Sequence, residues 1–352
     1  MKKKFKIYNT LDRKKIDFVP LNEEHIKIYA CGPTVYNYAH IGNGRMAVVC
    51  DLLVKVLRTI YKKVTYVSNI TDIDDKIIDA AKEQNVEISE ITEKYTQIYN
   101  EDMSMLNVIK PDIQPKATEY IPEMIALIED LIGKEFAYEK DKHVLFHVPS
   151  YSKYGELSNR NREEQIAGSR VEIAPFKKDP SDFVLWKPSD DSQPGWDSPW
   201  GFGRPGWHTE CSAMSEKTLG LPFDIHGGGR DLIFPHHENE IAQSCCSTAN
   251  IDEPDSYAKY WMHNGFVTIE GEKMSKSLGN IILVRDLTNN YHGEAIRLAL
   301  LSSHYRQGLD WNEKIIHQAK KLLTKIYQIL DDLKDIQEIE SESSNIKPIV
   351  TL

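Results

Sequence analysis

Four side chains that lie far apart in the sequence have the chemistry of a zinc site. His236 and Glu240 are four residues apart in a stretch predicted to be helical, so they share one face. An imidazole and a carboxylate at that spacing can bind one cation. Two thiolates would complete a tetrahedral zinc site, and the best candidates are Cys31 and Cys211, which lie near glycines at strand or helix edges.

The remaining cysteines and the neighbouring histidine have simpler interpretations. Cys50 falls in an apolar helical stripe and is predicted to be buried, and Cys245 and Cys246 are predicted to pack at the end of the histidine-bearing helix. His237 is the rival of His236 but has no ligand type four residues on. Five cysteines in a long chain do not form a disulfide framework, which indicates a reducing, cytoplasmic compartment.

The stretch from Tyr29 to Arg45 is typical of a strand-to-helix crossing that binds nucleotides. Apolar residues alternate before it, as in a strand, and recur at helical spacing in residues 46–57. Its glycines let a ligand approach the backbone closely, and the helix start offers free N–H groups to phosphate. His40, beside Gly42, could hydrogen-bond a phosphate.

A lysine-rich loop supplies a second phosphate-binding group. Lys273 and Lys276 are three residues apart in the segment Lys-Met-Ser-Lys-Ser, and glycines flank the loop. Both ammonium groups can reach a polyphosphate, while the serines and the backbone donate hydrogen bonds. A lysine-rich loop alone is a weak indication of phosphate binding. This pentapeptide, downstream of His-Ile-Gly-Asn (residues 40–43), is a highly specific one.

A doubly wound parallel sheet is the α/β architecture that would position these groups. Strands are predicted near residues 26–28, 64–69 and 222–226. Polar residues follow the second strand, where they could cap the next helix or line a ligand crevice at the carboxyl ends of the strands. These residues are Thr71, Asp72, Asp74 and Asp75.

Two other regions differ from the rest in composition or in predicted secondary structure. Residues 151–205 are rich in Ser, Asp, Pro and Gly with dispersed aromatic residues, which predicts an insertion or flap rather than a regular layer. From Arg285 onward the chain is predicted to be helical, including a long helix over residues 313–336.

The bulk composition excludes several classes of protein. With 352 residues, 41% hydrophobic and 27% charged, the chain is expected to form two or more globular domains. It contains no apolar run long enough for a membrane span and no secretory signal. The net charge of −10 argues against broad, sequence-independent binding to nucleic acids, although a local basic face remains compatible with it.

Taken together, the motifs resemble those of class I aminoacyl-tRNA synthetases, and within that class the cysteinyl family. The resemblance runs from about Tyr8 to the helices beyond Arg285. It rests on long motifs in the expected order: Cys31-Gly-Pro-Thr-Val-Tyr36, Asn69-Ile-Thr-Asp-Ile-Asp-Asp-Lys76, Gly206-Trp-His-Thr-Glu-Cys-Ser-Ala-Met214, Asp224-Ile-His-Gly-Gly-Gly229, and Phe234-Pro-His-His-Glu-Asn-Glu240.

The resemblance implies a zinc-dependent cysteine–tRNA ligase that uses ATP, L-cysteine and tRNA(Cys). It implies that zinc is held at Cys31, Cys211, His236 and Glu240 and binds the thiolate of the substrate. A serine hydroxyl would stay protonated and bind weakly, so the metal would separate the two amino acids without an editing domain. The residues expected to line the cysteine pocket are Gly32, Thr71, Trp207 and His226.

The same resemblance implies how ATP is bound. His40 and Gly42 would contact the phosphates, Gly228 and Asp231 would lie near adenine and ribose, and Mg²⁺ would share the phosphate charge. Lys276, assisted by Lys273, would hold the leaving pyrophosphate. Asn43 stands where the family pattern has histidine; an amide can donate a hydrogen bond but cannot become cationic, so binding is expected to survive.

The family also implies a domain organisation. We expect a Rossmann-like catalytic domain over residues 1–109 and 206–262, a connective insertion over 110–205, a linking segment over 263–310 and the start of a helical bundle over 311–352. An anticodon-binding domain is expected to be missing, either by truncation or in the natural protein. The chain is expected to be a monomer.

Two alternatives remain open. A ligase that passes activated cysteine to an amino sugar in the mycothiol pathway resembles the family and is also shorter. Lysine outnumbers arginine 32 to 11, which suggests an AT-rich genome and weighs against that pathway of GC-rich bacteria. The other alternative is a non-catalytic zinc-bound or RNA-binding relative, against which the intact His40, Lys273 and Lys276 speak.

Overall fold

Strands and helices alternate along the computed structural model, which describes residues 5–168, 175–190, 192–248, 253–275 and 277–334. The strands are β1 (Lys6–Asn9), β2 (Lys14–Asp17), β3 (Ile26–Ala30), β4 (Val64–Ser68), β5 (Ala137–Lys140), β6 (His143–Phe146), β7 (Phe183–Pro188), β8 (Gly203–Pro205), β9 (Phe223–Gly229), β10 (Ala258–Asn264), β11 (Val267–Ile269), β12 (Glu272–Lys273) and β13 (Leu309–Trp311). The helices are α1 (Ile41–Arg58), α2 (Asp75–Gln84), α3 (Ile88–Met105), α4 (Ile121–Gly133), α5 (Arg162–Gly168), α6 (Trp207–Leu219), α7 (Glu238–Ser247), α8 (Val284–Asn290), α9 (Gly293–Leu300) and α10 (Glu313–Leu333).

A four-stranded parallel sheet lies at the centre of the molecule, in the order β10–β9–β3–β4. Apolar residues of these strands and of α1 form one buried cluster, and residues of α4, α6 and α7 belong to a second. The expected α/β class with a parallel sheet is therefore confirmed. The strand order reverses between β3 and β9, and ligands of such folds bind at the carboxyl ends beside this point.

A second, antiparallel sheet of β5–β6–β7–β8 occupies much of the region predicted to be irregular. The prediction of a flap over residues 151–205 is wrong where β7 and β8 form. Their aromatic side chains are buried rather than dispersed on loops: Phe183 stacks on Phe146 with ring centroids 5.0 Å apart, and Trp186 is fully buried. The many turn residues connect short strands and do not mark a loose segment.

A small mixed sheet, β12–β11–β13, follows β10 and carries the start of the lysine-rich loop. The prediction of helix from Arg285 onward is only partly correct, because β13 interrupts the helical elements α8, α9 and α10. α10 begins at Glu313 as predicted; the end predicted at residue 336 lies outside the described residues. Among the described residues, no helix combines the length and apolarity needed to cross a membrane.

Candidate active site and metal centre

Cys31, Cys211, His236 and Glu240 meet in a buried cluster. One ligand atom from each of the four lies within 4.8 Å of the other three. The two sulfur atoms are 3.7 Å apart, Cys31 Sγ is 3.5 Å from Glu240 Oε1, and His236 Nε2 is 3.1 Å from the same oxygen. The cluster joins residues from three distant parts of the chain.

These distances fit a tetrahedral metal centre. Two sulfur ligands at about 2.3 Å from zinc and a tetrahedral angle lie about 3.8 Å apart, close to the observed sulfur separation. Two thiols, an imidazole and a carboxylate form a donor set that zinc accepts, and all four side chains are removed from competing water. The cluster therefore fits a single zinc ion.

The switch point of the central sheet places Cys31. The residue follows β3 directly, and its N–H donates to the carbonyl of Gly227 in β9. Gly32 comes next and donates its N–H to Asn69 Oδ1 at 2.9 Å. A Cβ at residue 32 would stand 1.6 Å from the carbonyl oxygen of Asn69, so only glycine allows this close approach of the two loops.

An irregular turn places His236. The sequence predicted a single helix over both ligands. The structure instead has a π-type turn over Ile233–His237, kinked at Phe234, and this turn leads into α7. His236 lies in the turn and Glu240 in the helix, yet their spacing of four residues still makes an ion pair. Turns of the π type recur at functional sites because they re-aim side chains.

His237 also points into the cluster, which the spacing argument did not anticipate. Its Nε2 lies 3.4 Å from Cys31 Sγ, and a second set of four ligand atoms combines Cys31, His226, His237 and Glu240. His237 Nδ1 is already 2.8 Å from His263 Nε2. The set with Cys211 offers zinc two sulfur ligands instead of one, and this favours His236.

Electrostatic interactions inside the cluster favour the deprotonated, metal-binding forms of Cys211 and Glu240. They favour the protonated form of His236, and burial raises the pKa of the Cys31 thiol. The hydrogen bond with Cys31, aided by His236, lowers the pKa of Cys211 to about 6. Burial opposes ionisation of Glu240, but His226 and His236 outweigh it and lower the pKa of that carboxyl. Burial also lowers the pKa of His236, but Glu240 and Cys211 reverse this effect and raise it.

The residues expected to form the cysteine pocket surround the cluster. Thr71 does not cap α2, because Asp74 is the N-cap; its hydroxyl instead donates to Glu210 Oε2 at 2.8 Å. Trp207 is 40% exposed at the start of α6, and its ring lies 4.3 Å from that of His236. This makes the tryptophan the solvent-facing wall of the site.

His226 contacts the metal cluster through Glu240. Its Nε2 lies 2.8 Å from Glu240 Oε2, and its ring stacks on Trp261 with centroids 4.5 Å apart. Its Nδ1 is buried without a hydrogen-bond partner. The structure therefore places His226 behind a ligand, at the base of the predicted pocket.

His40 and Asn43 cap the first turn of α1 through reciprocal hydrogen bonds. His40 Nδ1 accepts from the N–H groups of Gly42 and Asn43 at 3.1 and 3.3 Å, while Asn43 Oδ1 accepts from the His40 N–H at 3.1 Å. Asn43 thus has a structural role that the sequence comparison of Asn with His did not suggest.

The lysine-rich loop lies over this helix start. A Cβ at Gly42 would be 3.3 Å from the methyl carbon of Met274, and the N–H of Ile41 donates to the carbonyl of Ile282 at 2.9 Å. Lys273 is exposed at the end of β12, and its carbonyl accepts from the Asn280 amide. Lys276 lies outside the described residues.

The glycine-rich end of β9 lies next to the histidines of the cluster. A Cβ at Gly228 would stand 2.7 Å from the His237 ring, so the strand passes tightly over the histidines. Burial lowers the pKa of His40, and the carboxylate of Asp231 opposes this shift. His40 and Asp231 are therefore close enough to interact electrostatically, and their roles toward ATP stay predictions.

Comparison with known proteins decides the family. The family model described as the class I (C) tRNA synthetase catalytic domain matches residues 17–321. The chain belongs to this family. Proteins named cysteine–tRNA ligase from Parvibaculum lavamentivorans and Rhodospirillum rubrum are 58% and 57% identical over 96% and 92% of the chain. The chain spans 71% and 70% of their lengths.

Solved class I synthetases share the fold. Methionyl-tRNA synthetase of Mycobacterium tuberculosis, in complex with methionyl-adenylate, superposes with a TM-score of 0.66 at 15% identity, covering 89% of this chain and 69% of that one. A putative arginyl-tRNA synthetase from Campylobacter jejuni gives a TM-score of 0.57 at 14% identity, over 90% of this chain and 73% of that one.

Several residues of this synthetase site escaped the sequence argument. Glu210 is buried beside Cys211 and holds Thr71, and its position inside a quoted motif could have revealed it. Tyr257 donates to Glu240 Oε2 at 2.8 Å and is itself 2.9 Å from Ser215 Oγ. No motif or spacing in the sequence singles out Tyr257.

Proposed function

We propose that this chain is a cysteine–tRNA ligase that activates L-cysteine with ATP and transfers it to the 3′-terminal ribose of tRNA(Cys). The observation that carries the proposal is the buried cluster of Cys31, Cys211, His236 and Glu240, which lies at the switch point of a class I synthetase fold. The names of the relatives support the choice of cysteine and of tRNA.

Selection of the amino acid falls to the metal cluster and its surroundings. Zinc held by the four residues would supply a soft Lewis acid that prefers a thiolate to a hydroxyl. Shape alone separates a pair of near-isosteres by only about 10- to 200-fold. Gly32, Thr71, Trp207 and His226 contact residues of the cluster or their neighbours, and we assign them to the pocket for the cysteine side chain and backbone.

ATP is bound between the start of α1 and the lysine-rich loop. The positive end of the helix dipole attracts phosphate, and His40 and Gly42 lie at that point. Contrary to the prediction from the sequence, the first N–H groups of α1 are not free, because His40 Nδ1 and the Ile282 carbonyl already accept from them. Gly228 and Asp231 face adenine and ribose from the end of β9. Mg²⁺ would accompany the phosphates.

The first reaction is an in-line displacement on the α-phosphorus of ATP. The cysteine carboxylate forms a bond to this phosphorus as the bond to the bridging oxygen of pyrophosphate breaks. Lys273 and Lys276 stabilise the charge that accumulates on the leaving pyrophosphate, and His40 and Asn43 hold the helix start in place. Catalysis is therefore mainly positioning and charge stabilisation. The ribose hydroxyl of tRNA then attacks the carbonyl carbon and releases AMP.

The free cysteines also support a proposal about the cellular compartment of the enzyme. All five cysteines are free and buried, which suits a reducing, cytoplasmic compartment. We propose a monomer and the domain boundaries given above.

Pyrophosphate exchange tests the proposed function. The rate of exchange of labelled pyrophosphate into ATP is measured with cysteine or serine, without tRNA, before and after zinc chelation. Exchange with cysteine alone that chelation abolishes supports both the activation chemistry and the metal selection. No exchange by folded, zinc-loaded protein would contradict them. Incubation of the activated enzyme with tRNA(Cys) or an amino sugar then identifies the acceptor.

A further inference from the structure

Arg45 is a fully buried cation outside the proposed chemistry. It lies in α1, and it is among the largest side chains with no exposed surface. Burial lowers the pKa of this guanidinium to about 10, and no carboxylate within the described ranges offsets the effect. Because an uncompensated buried charge is costly, its retention calls for a purpose that an apolar side chain would not serve.

The guanidinium binds two chain segments at once. Nη1 donates to the carbonyls of Gly265 and Phe266 at 3.2 and 2.9 Å. Nη2 donates to Ser303 Oγ at 2.9 Å and to the carbonyl of His304 at 3.4 Å. The planar fork of arginine suits this arrangement, whereas the single ammonium of lysine does not.

Both segments lead into the sheet that carries the lysine-rich loop. Residues 265–266 connect β10 to β11, and β11 pairs with β12, where Lys273 lies. Residues 303–304 lead from α9 towards β13, the other neighbour of β11. The two segments also contact each other, since the Gly265 N–H donates to the Tyr305 carbonyl at 2.8 Å.

The return from the loop is tied to the same helix. The N–H of Ile41 donates to the Ile282 carbonyl, and the N–H of Val284 donates to the carbonyl of Ala39, both at 2.9 Å. The helix start therefore binds the chain after the loop, and Arg45, one turn later, binds the chain before it. His40 and the loop are positioned on a common support.

We infer that Arg45 is a positioning residue that sets the lysine-rich loop at the correct distance from His40 for pyrophosphate departure. This inference rests on the proposed function, because it concerns the same ATP site. An error in placing the loop weakens an interaction that matters chiefly in the transition state. Such a change lowers kcat and leaves the KM values for ATP and cysteine nearly unchanged.

The test compares Arg45→Lys and Arg45→Ala with wild type in cysteine-dependent pyrophosphate exchange. Rates are normalised to active sites counted from the burst of adenylate formation, so that loss of folded protein does not count as loss of rate. We expect kcat per active site to fall about 10- to 100-fold, the effect expected of a small misplacement of catalytic groups. Zinc content should stay at the wild-type value, and millimolar methylguanidinium should restore part of the activity of Arg45→Ala.

Arg204→Lys is the matched control. Arg204 is also buried and donates to the Pro188 carbonyl, Ser189 Oγ and Gln193 Oε1, but it lies in the second sheet. This variant should lose stability and keep its kcat per active site. If Arg45→Lys behaves like the control, with kcat within about twofold of wild type, Arg45 is only structural and the inference is wrong. If wild type itself shows no exchange, the proposed function fails instead. Should Arg45→Ala be insoluble, Arg45→Lys still decides.

Discussion

At the scale of single residues, the side-chain amide of Asn43 has to meet two requirements. Its oxygen accepts from the His40 N–H, which fixes the first turn of α1, while its position beside the phosphate site calls for a group without negative charge. Histidine at this position, as the family pattern has it, could meet the capping demand through a ring nitrogen. Asparagine meets it through the amide oxygen, so the departure from the pattern preserves the helix start.

Two substitutions of Asn43 should separate these demands. Asn43→Ala removes the acceptor and should lower the free energy of unfolding by about 1 kcal/mol, as is usual for a lost cap. Asn43→Asp keeps an acceptor, so its stability should match wild type, but its charge should raise the KM for ATP. Urea denaturation and exchange kinetics measure the two effects. Equal stability of Asn43→Ala and wild type would show that the cap is unimportant.

Gly32 is the second residue with a sharp expectation. A methyl group there would overlap the carbonyl oxygen of Asn69, so Gly32→Ala should separate the loops that follow β3 and β4 and impair zinc binding. Gly133→Ala is the control, because a Cβ at that residue meets no atom within 4 Å. Zinc content and thermal denaturation of both purified variants provide the measurement. Full zinc content in Gly32→Ala would contradict the account of this loop contact.

At the scale of elements, Asp75 joins the first turn of α2 to the second sheet. Its carboxylate binds Lys187 Nζ at 2.6 Å and Arg204 Nη2 at 3.0 Å. Burial raises the pKa of Asp75, but the two cations outweigh it and the net pKa is lowered. A lowered carboxyl pKa contributes stability above the unfolded pKa, and this contribution is lost as the pH falls through the folded pKa.

Asp75→Asn should reveal this link between α2 and the second sheet. The carboxylate is partly exposed, so solvent screening limits the expected loss at pH 7 to about 1 kcal/mol. The difference from wild type should begin to shrink near pH 4, the pKa of the unfolded carboxyl, and should vanish only as the pH falls through the lowered pKa of the folded state. Urea titrations at several pH values provide the measurement. A difference that is independent of pH would assign the effect to packing instead of charge.

The elements also show what sequence reasoning can and cannot reach. The strand–helix crossing at residues 29–45 was predictable because its periodicity and its glycines are local signals. β7 and β8 were not, because β7 pairs with β6 about 40 residues earlier, β8 pairs only with β7, and their turns resemble loops. The π-type turn before α7 has no local signal either, so the four-residue spacing that favoured His236 could not show that His237 also approaches Cys31.

Within the site, residues whose side chains are typical metal ligands were easier to predict from the sequence than the others. Cys31, Cys211, His236 and Glu240 could be chosen from ligand type and spacing, although the resemblance was needed to make the choice firm. Tyr257 and Ser215 could not, since a tyrosine and a serine near Glu240 are visible only after β10 and α6 pack together. The roles of individual site residues stay predictions that the experiments above address.

At the scale of the whole molecule, the four candidate metal ligands connect distant parts of the chain. The candidate ligands come from the end of β3, from α6, from the turn before α7 and from α7 itself, so a bound ion would close two long loops. Zinc at a hundredfold excess over its dissociation constant would stabilise the fold by about 3 kcal/mol. Chelation should therefore lower the melting temperature by several degrees, and added zinc should restore it. An unchanged melting temperature would show that the cluster binds no structural ion.

X-ray absorption at the zinc edge tests the central claim most directly, because it counts the sulfur ligands of the metal. The zinc-loaded protein should show two sulfur atoms at about 2.3 Å together with nitrogen and oxygen ligands. Addition of cysteine should raise the count to three, whereas serine should leave it at two. A count that does not rise with cysteine would contradict direct recognition of the substrate thiolate, even if pyrophosphate exchange were observed.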